Sequence, residues 1–243
     1  MASTPIVTMS TETNVSPVVS PAVPLSTETK VLPSIETKIP SSTETKSSNP
    51  IVSVAFEKIT SIKEIAPIIE ERFKHLSFLP RDQFNLIAYG GSVLACDVDD
   101  MVFMNEATRQ FCITGLLDGV DCKVRGLSKK IGDDTYTLCE VDTITEICNL
   151  EKKGMKIIFV TRRGKASEEA TYQQLQAFGI RAPQVWCTAG IPKGTFVKEK
   201  LPGLDGGLLF VVDDEESNLQ TYVSDTAYRS DRVVLLQYMT YTN

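Results

Sequence analysis

Asp97 and Asp99 stand two residues apart at the end of a short apolar run, VLACDVDDMV. An extended backbone there turns both carboxylates to the same side. Three further segments carry polar residues behind apolar ones. KIIFVTRR ends in Thr161, followed by Arg162 and Arg163; CTAGIPKG carries Lys193; LLFVVDDEESN carries Asp213, Asp214 and Asn218. Carboxylates brought together repel unless a cation neutralises them. A donor set of oxygen alone, without His or Cys, suits a hard ion, Mg²⁺ above all. Lys193 supplies a positive charge for a carboxylate or a phosphate, and Thr161 a neutral donor. A nucleophile, a charge clamp, an acid/base group and a metal in one pocket suit phosphoryl transfer.

These residues meet only if their elements bring them to one edge. Residues 92–96 read as a buried strand, as do 156–160, 184–187, 208–212 and 233–237. Helical segments lie between them at 141–150, 168–178 and 193–201, with another running through Asn218 to Val223. Gly154, Gly179 and Pro202 mark where three of these helices stop. Strand and helix in alternation predict an α/β domain with a parallel sheet covered on both faces. In such sheets the site lies beyond the carboxyl ends of the strands, where all four polar segments fall. Residues 103–140 break the alternation and read as an insertion. Ahead of the first strand, Ser61 and Glu64 form a capping-box pattern. Ile62, Ile65, Ile69, Phe73 and Leu76 then share one helical face.

The order DxDxxV, strand-Thr, Lys, strand-Asp-Asp resembles motifs one to four of the haloacid dehalogenase (HAD) superfamily, over roughly residues 90–240. The resemblance implies a HAD-like Rossmannoid three-layer sandwich, with 103–140 as a small cap after the first strand. It implies a Mg²⁺-dependent phosphatase that works through an aspartyl-phosphate. By that resemblance Asp97 is the nucleophile. Asp99 is the general acid/base, and its backbone carbonyl ligates Mg²⁺ together with Asp97 and Asp213. Thr161 holds a phosphoryl oxygen, and Lys193 pairs with the nucleophile and the phosphoryl group. Asp214 acts beside Asp213 through water, and Asn218 braces the acidic loop. One position departs from the pattern: Met101 stands where Thr or Val is usual, so a supporting hydroxyl is missing. A small cap leaves the site open to a phosphorylated protein or another large substrate; a small metabolite would need a partner subunit to close over it. TRRGKASEEATYQQLQAFGI and AGIPKG further resemble a HAD-like branch of unassigned function found in intracellular bacteria. A cytoplasmic enzyme is expected, with a secreted effector of an intracellular bacterium as the alternative that this likeness adds. A HAD-like fold kept as a binding or interaction module with little turnover is the other reading.

Composition sets the remaining bounds. The 243 residues carry a net charge of -6, which gives no bulk electrostatic reason to bind nucleic acid. No apolar run approaches a membrane span, and the first residues lack the pattern of a secretory signal. Six cysteines without a CxxC pair predict reduced thiols and a cytosolic compartment. The single histidine, His75, excludes a histidine-rich metal site and falls near the end of the first helix, where a surface role is expected. Ser, Thr and Pro make up 26 of residues 1–50, which hold no aromatic residue. STETK-type repeats begin there at Ser10, Ser26, Ser34 and Ser42. The composition predicts a disordered tail joined to a domain at 51–243. Receiver domains use the same residue types, but there the acidic pair comes first. The loop of cysteine phosphatases needs Arg where Lys193 follows Cys187. A glycosyltransferase DxD would leave Thr161, Lys193 and Asp213 without a role.

Overall fold

The computed structural model describes residues 56–113, 121–122, 126–204, 206–224, 228–239 and 241–242. The expected tail at 1–50 and part of the insertion lie outside the described residues. The first described element is a short strand, β1 (Glu57–Ile59). Ser61 then caps a 3₁₀ turn in the capping box that the sequence predicts, with the Glu64 carboxylate accepting from the Ser61 N–H at 2.9 Å. The apolar face continues through α1 (Ile65–Arg72) and buries Ile62, Ile65, Ile69 and Phe73. Instead of one helix reaching Leu76, the chain tightens into a second 3₁₀ turn at Lys74–Leu76. Helix α2 (Arg81–Ala88) is an addition to the sequence reading. It buries only Phe84 and Ala88 and leaves Leu86 and Ile87 outside, which blurs its apolar period.

Strand β2 (Val93–Cys96) leads into the insertion. There lie β3 (Phe103–Asn105), α3 (Glu106–Ile113), β4 (Asp121–Cys122), β5 (Ser128–Ile131) and β6 (Asp134–Leu138). Strands β3, β6 and β5 form a separate antiparallel sheet in that order. Strand and helix then alternate: α4 (Thr143–Lys152), β7 (Lys156–Thr161), α5 (Glu168–Phe178), β8 (Val185–Cys187), α6 (Lys193–Lys200), β9 (Leu209–Asp213), α7 (Glu216–Gln220) and β10 (Val233–Tyr238). A last short strand, β11 (Tyr241–Thr242), pairs antiparallel with β4.

The main sheet has six strands in the order β1-β10-β9-β2-β7-β8, each pair parallel. Its two central strands carry unbroken apolar runs, Val93–Cys96 and 209–212, because both of their faces are covered. On one face Leu94, Cys96, Phe159, Phe210 and Val212 join a core with Ile65, Ile69, Ile147 and Leu175. On the other, Val93, Ala95, Ile158, Val160, Leu209 and Val211 join Val197, Leu219 and Tyr222. Burying each large side chain is worth about 1.5–3 kcal/mol, so both layers hold the sheet. The chain is thus α/β, with a parallel sheet flanked by helices. From β2 it steps outward to β7 and β8, then returns to β9 on the other side of β2. The strand order therefore reverses between β2 and β9, where open α/β sheets leave a crevice.

Glu140, at the exit of the insertion, ties three segments together. Its carboxylate accepts from Ser61 Oγ at 2.7 Å, the Ile62 N–H at 2.9 Å and Tyr238 Oη at 2.7 Å. Among the described residues no helix is long and apolar enough to cross a membrane.

Candidate functional site

The β2–β9 pairing runs one residue beyond β2, since the Asp97 N–H donates to the Val212 carbonyl at 2.9 Å. That bond sets Asp97 beside Asp213, the last residue of β9. The chain then coils tightly, with the N–H groups of Val102 and Phe103 both donating to the Val98 carbonyl and Asp100 in the left-handed region at φ 60°. The coil sends Val98, Met101 and Val102 into the apolar core. Asp97, Asp99 and Asp100 line a pocket instead. Met101 thus fills core space and does not line the pocket.

Lys193 is the first residue of α6 and only 2% exposed. Its Nζ lies 2.7 Å from Asp97 Oδ1 and 2.7 Å from Asp213 Oδ2. Gly194 makes this seat possible. Its N–H donates to Thr221 Oγ1 at 2.8 Å, and a Cβ there would collide with the Thr221 carbonyl. Asp213 is held on its other oxygen too, where Oδ1 accepts from the Glu215 N–H and from Asn218 Nδ2, each at 3.0 Å. Asn218 is therefore the brace expected of it. Asp97 Oδ1 also accepts from the Val98 N–H at 2.7 Å, so Oδ2 is the oxygen left for other chemistry.

Oxygens of Asp97, Asp213 and Asp214 lie within 4.8 Å of one another. Burial, then the Asp213 charge, raises Asp97 well above the ordinary carboxylate range, against the pull of Lys193. Burial, then the charges of Asp213 and Asp100, pushes Asp214 up to about 7. For Lys193, burial pulls downward, but the carboxylates of Asp97 and Asp213 outweigh it and the net direction is up. Three carboxylates facing one ammonium leave an excess of negative charge in a buried place. An all-oxygen donor set with that excess fits a hard divalent cation. Asp214, expected to act only through water, offers an oxygen of its own to this cluster.

The other acid of the first motif faces elsewhere. The Asp99 carboxylate is gripped by Arg163 in a two-pronged bond, NH2 to Oδ1 at 2.6 Å and Nε to Oδ2 at 3.1 Å. Thr161 Oγ1 donates to the same Oδ2 at 3.2 Å. Thr161 is fully buried at the end of β7, and its hydroxyl points to Asp99 in this arrangement. Arg163 is anchored on its far side, where NH1 donates to Thr171 Oγ1 at 2.8 Å and to Gln174 Oε1 at 2.6 Å, both on α5. Its guanidinium also lies 5.8 Å from the centre of the Phe103 ring. Arg162, its neighbour, behaves differently: it is exposed, lines the pocket and meets Glu215 at 3.5 Å. Residue type alone does not separate the two arginines. Alternation at the end of a strand is the signal that could have separated them.

The pocket holds about 180 Å³. That is below the roughly 300 Å³ at which pockets begin to enclose a drug-sized ligand, and it suits one small charged group. The structure therefore brings together Asp97, Lys193, Asp213, Asp214 and Asn218, with Asp99 lining the same pocket and Thr161 bonded to Asp99 but fully buried and outside the lining. Outside the pocket, Cys96 is buried on the opposite side of β2, and burial raises its thiol. Cys148 and Cys187 are free thiols as well. His75 is exposed and does not line the pocket. In comparisons with known proteins, no family model and no curated protein matches this chain.

Proposed function

We propose that the protein is a Mg²⁺-dependent phosphohydrolase that works through an aspartyl-phosphate on Asp97. The observation that carries this reading is the Asp97–Lys193–Asp213 bridge at the strand-order reversal, with Asp97 lining a small polar pocket. In the first step Asp99, having taken a proton from solvent, gives it to the leaving oxygen as Oδ2 attacks phosphorus and the bond to that oxygen breaks. In the second step Asp99 takes a proton from water as the water attacks phosphorus. Phosphate departs and the Asp97 carboxylate is restored. Lys193 keeps Asp97 and Asp213 partly neutralised while the phosphoryl oxygens approach. Thr161, now bonded to Asp99, has a hydroxyl that can turn to a phosphoryl oxygen. Asp97, Asp213 and Asp214 would hold Mg²⁺, which would supply the remaining positive charge. A pocket of this size takes the phosphoryl group and leaves the rest of the substrate outside. This favours a phosphorylated protein side chain or another large substrate.

The test is hydrolysis of an aryl phosphate by the purified protein. Turnover should need Mg²⁺, stop in EDTA and vanish in Asp97→Asn. Full activity in EDTA or in Asp97→Asn would sink the mechanism. A second reading, a binding module with little turnover, is favoured by one observation: both Asp99 oxygens are engaged by Arg163. Saturable binding of a phosphopeptide without any release of phosphate would support it.

A further inference from the structure

We infer that Arg163 is a positioning residue, which fixes the Asp99 carboxylate at the side of the pocket from which a leaving group departs; this rests on the phosphohydrolase reading above. The two-pronged bond is stiff at both ends. Planar fork and planar carboxylate match in only one relative orientation, which lysine cannot reproduce. Arg163 has little freedom of its own, because Thr171 and Gln174 hold NH1 from behind. Thr171 is in turn fixed by donating to the Ser167 carbonyl at 2.8 Å, and it is fully buried. Gln174 is 7% exposed. The Asp99 side chain is half-exposed, but the arginine that grips it is held from behind.

The arrangement also connects the acid to the insertion. Phe103, on the first strand of the insertion, lies over Arg163 and stacks on Phe178 of α5 at 5.6 Å between ring centres. Lys129 of β5 reaches the Ala177 carbonyl on the same helix. The insertion and α5 thus hold Arg163 from two sides, and a shift of either would move Asp99. A misplacement of about 1 Å can cost roughly 100-fold in rate. Arg163 needs no contact with the substrate to matter at this scale.

The test is a double-mutant cycle of Arg163→Lys and Asp99→Asn, assayed with Mg²⁺ on one alkyl and one aryl phosphate. Arg163→Lys should lower kcat on the alkyl phosphate by about 10–100-fold, within the range of general acid–base contributions, with KM changed by no more than a few-fold. The aryl phosphate, whose leaving group needs little protonation, should lose much less. In the Asp99→Asn background the arginine change should cost nothing further. Losses that multiply, equal losses on both substrates, or a raised KM with kcat intact would overturn the inference and make Arg163 a substrate contact or a structural residue. If Arg163→Lys does not fold, Thr171→Val loosens the same fork, and the same alkyl-selective loss is expected in milder form. A wild type inert toward every phosphate would end the phosphohydrolase reading and leave this one to a crystal structure of Arg163→Lys. An Asp99 carboxylate displaced from Thr161 would uphold the inference; one that has not moved would overturn it.

Discussion

Removing Lys193 tests the site's electrostatics without any assumption about substrate. Its ammonium sits 2.7 Å from both Asp97 and Asp213, and all three side chains are almost wholly buried. Lys193→Met keeps the length of the side chain and deletes the charge. Breaking a buried ion pair by removing one partner costs about 3–5 kcal/mol, because the remaining charge is left uncompensated. For a domain near this size, each kcal/mol moves the melting temperature by about 2–4 °C, so a fall of roughly 6–20 °C is expected. The loss should depend on pH. Without the lysine, Asp97 and Asp213 can be relieved only by protonation or by a cation. Thermal unfolding in EDTA should therefore show a larger gap between variant and wild type at pH 8 than at pH 5, and Mg²⁺ at pH 8 should narrow it. A variant that melts within 2 °C of wild type in EDTA at pH 8 would show that the two carboxylates are not charged together, which would refute the reasoning.

Three further outcomes are expected. Asp97 and Asp214 both titrate above the ordinary carboxylate value of 3.8, Asp214 at about 7. The folded metal-free protein then holds protons that the unfolded chain has released. Its stability should fall as pH rises from about 4 to 7, and Mg²⁺ should raise the melting temperature more at pH 8 than at pH 5. Asp97→Asn should abolish phosphate release yet melt no lower than wild type in EDTA at pH 8, because it removes one of three crowded charges; unfolding of this variant would mean the carboxylate is structural. Glu140→Gln weakens an acceptor shared by Ser61, Ile62 and Tyr238, and should cost about 1–3 kcal/mol in urea titration, with activity at saturating substrate retained.

The alternation of apolar strands and helices was legible because the central strands are buried on both faces, and burial leaves unbroken apolar runs such as 93–96 and 209–212. The polar residues that end those runs could be assigned to one edge for the same reason. β1 escaped notice: it is three residues long, and two of them are exposed. The grip on Asp99 was hidden for a different reason. Strand periodicity places Asp97 and Asp99 on one side but says nothing of which cation each will meet. That choice depends on Thr171 and Gln174, which read only as polar positions of a helix. Nothing in the sequence marks Gly194 as different from the glycines that end helices, although it sets where Lys193 sits.

The strand order bears on how the domain comes together in time. Among the described residues β1 pairs only with β10, so Glu57 finds Leu236, and its partner is made almost last. β2 must likewise wait for β9 to arrive from beyond β7 and β8. Such long-range parallel pairing closes large loops before any contact rewards them, which makes folding slow. While the chain is being synthesised, the edge of β2 that will receive β9 stays open to other chains. A nascent chain halted before Val233 would expose the edges of β1 and β9 together. Chaperone dependence should therefore appear late in synthesis, and truncation at the carboxyl-terminal side should favour aggregation over a smaller folded core.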